Sequence, residues 1–121
     1  MIVRNFLQQP AVMQNAHRGQ GEIRNVFLYG AEDFTTPLRF VIYSEIQPGD
    51  SIGYHTHGEN EEVYVVLEGE GTMTVNGECR KVTQGDVLLN RRGWSHGLVN
   101  DSNAVLKLLV FEVDGSTQER G

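Results

Sequence analysis

The sequence has one cysteine, Cys79, among its 121 residues, and few basic side chains. A single cysteine cannot form a disulfide within the chain, which fits a reducing compartment and predicts a cytoplasmic protein. Ten Lys and Arg stand against sixteen Asp and Glu, and the formal net charge is −6 at pH 7. Binding of nucleic acid depends on an excess of positive charge, so we expect no nucleic-acid partner.

Long hydrophobic runs are also missing. The longest, residues 63–67 and 105–113, are far shorter than the ~18 apolar residues that a membrane-spanning helix needs. The N-terminal residues do not combine a basic stretch with an apolar one, so no secretory signal is expected. The sequence therefore predicts no membrane partner.

Proline is scarce and glycine abundant, which indicates many tight turns. Fourteen of 121 residues are glycine, above the usual ~7%, and only three are proline. These turns separate short segments with the alternation and β-branched content of strands, and the hairpin dipeptide Asn76-Gly77 joins two of them. The predicted strands are residues 38–44, 51–57, 62–67, 72–75, 78–82, 87–90, 96–100 and 104–113.

Strands at this regular spacing predict an all-β fold, a sandwich or a barrel. No segment of ten or more residues after Leu38 has helical periodicity. Further upstream, residues 24–29 are compatible with a strand, and residues 6–14 with a short helix or a loop. We expect a single domain (1–121) with an N-terminal arm over about residues 1–37, a barrel over about 38–113 and a polar tail over 114–121.

Histidines and a carboxylate have a spacing that suits a metal ion. Side chains two apart in a strand lie on one face, roughly 6.6–7 Å apart, so His55 and His57 can point at a common ion. Glu62 opens the next predicted strand, and we expect the turn between them to pair the two strands antiparallel and bring its carboxylate to the same point. His96 begins a distant strand that closure of the barrel could bring opposite.

The same residues, with the surrounding glycines, resemble the two sequence motifs of the cupin superfamily. The first motif is matched by Gly49, His55, His57, Glu62 and Gly69. The second motif is matched by Gly85, Gly93, His96 and Asn100, and the resemblance covers residues 40–113. One position departs from the family pattern, because Arg91 stands where the second motif usually has a proline. This departure bears on the stiffness of the turn and not on the ligand.

The resemblance implies a small jelly-roll barrel that holds metal through His55, His57, Glu62 and His96. This ligand set suits one divalent transition metal ion per chain: Fe, Mn, Ni, Co, Cu or Zn. Four protein ligands on an octahedral ion leave two positions for a small-molecule ligand or substrate. The resemblance implies a metal-dependent enzyme for a small oxygen-rich metabolite, of dioxygenase, decarboxylase, isomerase or cyclase type. One alternative is a non-catalytic module that binds or senses a sugar or carboxylate through the metal, and another is an ion-binding structural protein with no small-molecule role.

Other side chains are weaker candidates, and core packing or surface exposure is the simpler interpretation of each. By strand parity, Tyr64 shares the face of Glu62, and Leu98 shares that of His96. Gly53 shares the face of His55 and would leave room near the ion. The remaining candidates, for binding a ligand or assisting the chemistry, are His17, Arg39, Tyr43, Tyr54, Glu61, Arg91 and Trp94.

The last predicted strand is apolar on both faces apart from Lys107 and Glu112. A strand of this kind is covered on both sides, and the outer cover is either the N-terminal segment or a second subunit. Because small cupins commonly pair sheet against sheet, the resemblance favours a homodimer.

Overall fold

The computed structural model describes residues 1–115, and this part of the chain consists of ten strands and one short 3-10 helix, Ala31–Asp33. The strands are β1 (Val12–Gln14), β2 (Ile23–Gly30), β3 (Leu38–Ile46), β4 (Ser51–Thr56), β5 (Glu61–Glu68), β6 (Glu70–Val75), β7 (Glu78–Thr83), β8 (Val87–Asn90), β9 (Ser95–Val99) and β10 (Leu106–Val113).

Within residues 1–115 the strands form two antiparallel sheets. One has six strands in the order β1-β2-β3-β10-β5-β8, and the other has four in the order β4-β9-β6-β7. The chain crosses repeatedly from one sheet to the other, as in a jelly roll. The predicted all-β jelly-roll fold is confirmed.

The main core lies between the two sheets. Alternate residues of β5 and β10 are buried, as expected for strands with one face toward a core. Complete burial of one such aliphatic side chain contributes about 1.5–3 kcal/mol. The buried cluster is Ile23, Ile46, Ile52, Tyr64, Val66, Met73, Val82, Leu98, Leu106, Leu108 and Val110.

The outer face of the six-stranded sheet carries a second, smaller cluster. Val26, Leu28 and Tyr43 are its buried members, and Leu109 of β10 packs against them. Phe6 from the N-terminal arm stacks on Tyr43 with ring centroids 4.0 Å apart. The N-terminal segment therefore supplies part of the outer cover over this sheet.

The strand predictions agree with the structure along most of the chain. Every segment predicted after residue 38 is a strand, and β6 and β7 form the expected hairpin around Asn76 and Gly77, whose φ angles are 47° and 82°. Two positive φ angles are what a type I′ turn requires. Asn tolerates the left-handed region better than most residues, and Gly adopts it without penalty.

The N-terminal third differs more from its prediction. Residues 6–14 contain a turn followed by β1, which pairs with β2 at the edge of the six-stranded sheet, where a helix or a loop was expected. The strands β1 and β2 thus fall inside the predicted arm. The single-domain division and its bounds stay a prediction, and residues 116–121 of the predicted tail lie outside the described part. Within residues 1–115, no helix is long and apolar enough to cross a membrane.

Candidate metal centre

Three imidazole rings meet in the space between the sheets. His55 on β4 and His96 on β9 are direct cross-strand partners, with ring centroids 4.5 Å apart. His57 follows the end of β4, and its ring centroid is 4.6 Å from that of His96. The ligand nitrogens of these three histidines lie within 4.8 Å of one another. This spacing is compatible with three imidazoles around one ion.

A carboxylate reaches the histidines from the opposite sheet. Glu62 on β5 is 7% exposed, and its Oε1 lies 3.2 Å from Nε2 of both His57 and His96. Burial by itself would raise the pKa of Glu62, but the hydrogen bonds with His57 and His96 outweigh it and lower the pKa to about 2. The carboxylate is therefore ionised at neutral pH, as a metal ligand must be.

A hydrogen bond to the backbone fixes the orientation of the His55 ring. His55 Nδ1 lies 2.7 Å from the carbonyl oxygen of Gly53, and because a carbonyl only accepts, Nδ1 carries the proton. The lone pair is then on Nε2, which is buried and has no hydrogen-bond partner among residues 1–115. Burial lowers the pKa of His55, which keeps this ring neutral. A metal-ligating histidine commonly donates its second N–H to a backbone carbonyl in this way.

The strand arrangement around these residues differs from the prediction in one respect. β4 and β5 belong to different sheets and do not pair, so Glu62 approaches the histidines from across the core. The cause is the jelly-roll connection, since the turn after β4 carries the chain to the other sheet. The distant strand β9 pairs directly with β4 and makes His96 the cross-strand partner of His55.

A second carboxylate, which the sequence did not single out for the site, lies behind His57. Glu112 on β10 is 5% exposed and is the cross-strand partner of Glu62. Its Oε1 is 3.6 Å from His57 Nδ1, and its Oε2 is 3.2 Å from Nη1 of Arg39. Burial, together with the negative charge of Glu62, raises the pKa of Glu112. The sequence signal for it was an acidic residue on the otherwise apolar inward face of β10.

Two cavities border the cluster. The inner cavity, about 140 Å³, lies among apolar core side chains and includes Tyr64, whose hydroxyl is 3.2 Å from His96 Nε2. The outer cavity, about 320 Å³, is lined mostly by polar residues and reaches the surface beside Arg39. His17 and Glu62 line both cavities. A small molecule in the outer cavity would meet the Arg39 guanidinium, the edge of the histidine cluster and the carboxylates of Glu62 and Glu112.

Several weaker candidates lie elsewhere. Tyr43 belongs to the outer-face cluster and donates its hydroxyl to Glu45, while Leu98 is a fully buried core residue. Tyr54 is exposed and accepts a hydrogen bond from the backbone of the β6–β7 turn. The Arg91 guanidinium lies over the ring of the exposed Trp94, at 5.9 Å from its centroid.

Two more candidates, Glu61 and Gly53, do not take the part in the site that the sequence suggested. The two cavities that border the histidine cluster do not include Glu61 among their lining residues. The space beside Gly53 does not open toward the histidine cluster but is filled by the N-terminal arm, where a Cβ would collide with the carbonyl oxygen of His17.

Two antiparallel sheets with a buried histidine and carboxylate cluster between them define a jelly-roll protein with a candidate metal site. A family model described as the cupin domain matches residues 42–112. The chain belongs to the cupin family, and the resemblance seen in its motifs is confirmed.

Both the sequence comparison and the structure comparison find a match in Thermotoga maritima. A protein named oxalate-binding protein is 32% identical over 110 residues, which cover 91% of each chain. A crystal structure described as a predicted oxalate decarboxylase has a TM-score of 0.88 at 30% identity and covers 93% of this chain and 98% of the other. The polyketide cyclase RemF of Streptomyces resistomycificus, at 21% identity, has a TM-score of 0.79 and covers 99% and 88%. This last likeness concerns the fold alone.

Proposed function

We propose that His55, His57, Glu62 and His96 hold one divalent transition metal ion per chain. The observation that carries this proposal is the buried Nε2 of His55, whose lone pair has no partner among residues 1–115 and faces two further imidazoles. A buried acceptor without a partner is costly and calls for an explanation. A bound cation supplies one, and the ionised Glu62 balances part of its charge.

The substrate class that suits this site is a small carboxylate. The outer cavity has room for a molecule of a few non-hydrogen atoms, and Arg39, which is ion-paired with Glu112 on the same wall, has further guanidinium N–H groups to offer an anion. The similarity in sequence to an oxalate-binding protein, and in structure to a chain described as a predicted oxalate decarboxylase from the same organism, supports the same class of ligand. Such a metal acts as a Lewis acid that polarises the oxygen atoms of a bound acid.

We assign the chain as a metal-dependent enzyme that converts such an acid, with decarboxylation as the first reaction to test. Dioxygenase, isomerase and cyclase chemistry are the other reaction types that the family accommodates. Around the cluster, Tyr64 and Glu112 supply a hydroxyl and a carboxylate within hydrogen-bond or ion-pair distance of the histidines. Glu112 can orient His57 through Nδ1, whereas the Tyr64 hydroxyl lies beside Nε2 of His96, the nitrogen that also faces Glu62.

The second candidate function is metal-dependent binding of a carboxylate without turnover. It is favoured by the name of the relative at 32% identity, which describes binding and no reaction. The two functions share the metal site and differ in what happens to the bound acid.

The test begins with the metal content of protein purified without a nickel column. One equivalent of metal is expected in the wild type and a large loss in His96→Ala, because three ligands hold the ion more weakly than four. Equal metal content in both would refute the ligand assignment. Metal-loaded protein is then incubated with oxalate and other small acids, under air and under nitrogen, while acid, CO₂ and oxygen are measured. Conversion supports the enzyme, and tight metal-dependent binding without conversion supports the second candidate.

A further inference from the structure

The N-terminal arm brings a fourth imidazole to the site, and the proposed metal ligands do not include it. The ring of His17 lies flat on the ring of His55, with centroids 3.5 Å apart and planes 9° apart. The same residue lines both the inner and the outer cavity. His17 therefore stands at the boundary between the two cavities, directly beside a proposed ligand.

Backbone hydrogen bonds hold this part of the arm against β4. The N–H of Gly53 donates to the carbonyl of Ala16 at 3.0 Å, and the N–H of Ser51 donates to the carbonyl of Gln20 at 3.0 Å. The Ser51 hydroxyl accepts a further bond from the N–H of Gln20 at 2.8 Å. A side chain at residue 53 would collide with the carbonyl of His17, so a glycine is required there for the arm to dock. The position of His17 is thus built into the strand that carries His55.

The backbone at His17 adopts an unusual conformation. His17 and Arg18 have φ angles of 50° and 60°, so two consecutive residues other than glycine lie in the left-handed region. Such residues are uncommon and persist where the surrounding structure imposes them, often at functional sites. Here the conformation turns the chain sharply and lays the imidazole on His55.

The His17 side chain is exposed at the edge of the two cavities. No hydrogen bond joins either of its nitrogens to another group of residues 1–115, so both nitrogens are open to a molecule in these cavities. A neutral imidazole has one donor and one acceptor. With the Arg39 guanidinium on the wall of the outer cavity, the N–H of this ring can donate to an oxygen atom of a carboxylate.

We propose that His17 is a ligand-binding residue, which hydrogen-bonds an oxygen atom of a small carboxylate held at the site. This inference rests on the proposed function, because it takes the carboxylate to be bound beside the metal. It assigns the N-terminal arm a part in recognition that goes beyond covering the barrel.

The test uses full-length protein loaded with Mn²⁺ and isothermal titration with oxalate as the probe. His17→Phe keeps a flat ring on His55 and removes both nitrogens, whereas His17→Gln keeps a donor and an acceptor. Arg18→Ala is the matched control, because Arg18 is the next residue of the arm and is exposed. Metal affinity is measured separately by competition with a chelator, and folding is checked by thermal unfolding.

We expect His17→Phe to bind Mn²⁺ within about twofold of the wild type but to bind oxalate at least about tenfold more weakly, as for one lost charge-assisted hydrogen bond. His17→Gln should bind oxalate more tightly than His17→Phe, and Arg18→Ala should match the wild type. Oxalate affinity that is equal in the wild type, His17→Phe and His17→Gln overturns the inference and leaves the metal site intact. A wild type that binds Mn²⁺ but no oxalate also overturns it, while a wild type without metal refutes the proposed function itself.

Discussion

The ion pairing of Glu62 should make the metal-free protein less stable as the pH falls, and the substitution Glu62→Gln should remove this pH dependence. The ordinary pKa of a glutamate, 4.5, falls to about 2 for Glu62 in the folded protein. At about 1.36 kcal/mol for each tenfold change, this difference corresponds to about 3 kcal/mol of stability.

The lowered pKa of Glu62 determines how stability changes with pH. Because the folded-state pKa is below the unfolded one, the contribution is fully present above pH 4.5 and is lost as the pH falls toward 2. Between pH 5.5 and pH 3.0 the wild type should lose about 2 kcal/mol through this group alone. Glu62→Gln does not ionise and should lack this loss.

The assay is urea unfolding of chelator-treated protein, followed by circular dichroism at several pH values from 5.5 to 3.0. Glu61→Gln is the matched control, because Glu61 precedes Glu62 on β5 and does not contact the histidines. We expect the free energy of unfolding of the wild type and the control to fall more steeply with acid than that of Glu62→Gln. Parallel curves for all three proteins would refute the argument that His57 and His96 hold this carboxylate ionised.

Three further predictions concern the metal, the arm and the assembly. Metal at a free concentration about 100 times its Kd should raise the free energy of unfolding by about 2.7 kcal/mol. The metal should be released as acid protonates the histidines, so full metal occupancy near pH 4 would contradict the proposed site. Gly53→Ala should destabilise the protein by about 1–3 kcal/mol in thermal unfolding, since its Cβ collides with the arm. The control Gly58→Ala, whose Cβ meets no atom within 4 Å, should have nearly the stability of the wild type. The predicted homodimer should give twice the 13.6 kDa chain mass in light scattering, and a wild type of monomer mass would exclude the dimer. Phe111 lies on the outward face of β10, and Phe111→Glu should give folded monomers.

The strands could be predicted from the sequence because their causes are local. Alternation of apolar and polar residues assigns one face of β5 to the core, and the Asn76-Gly77 pair imposes its hairpin without help from the rest of the chain. The N-terminal third was harder, because β1 is a short and exposed edge strand with little hydrophobic alternation. Its pairing with β2 is a tertiary contact that the local pattern does not express.

The proposed metal ligands could be named from the sequence because their spacing along the chain matches two motifs. Their arrangement in space could not be predicted in this way. Only the tertiary structure decides that His96 is a neighbour of His55 on one sheet and that Glu62 comes from the other. Glu112 and His17 belong to β10 and to the arm, and no spacing rule connects either to the motif residues. The physical reason is that a sequence pattern determines which face of a strand is buried, whereas the pairing of distant strands determines which buried faces meet.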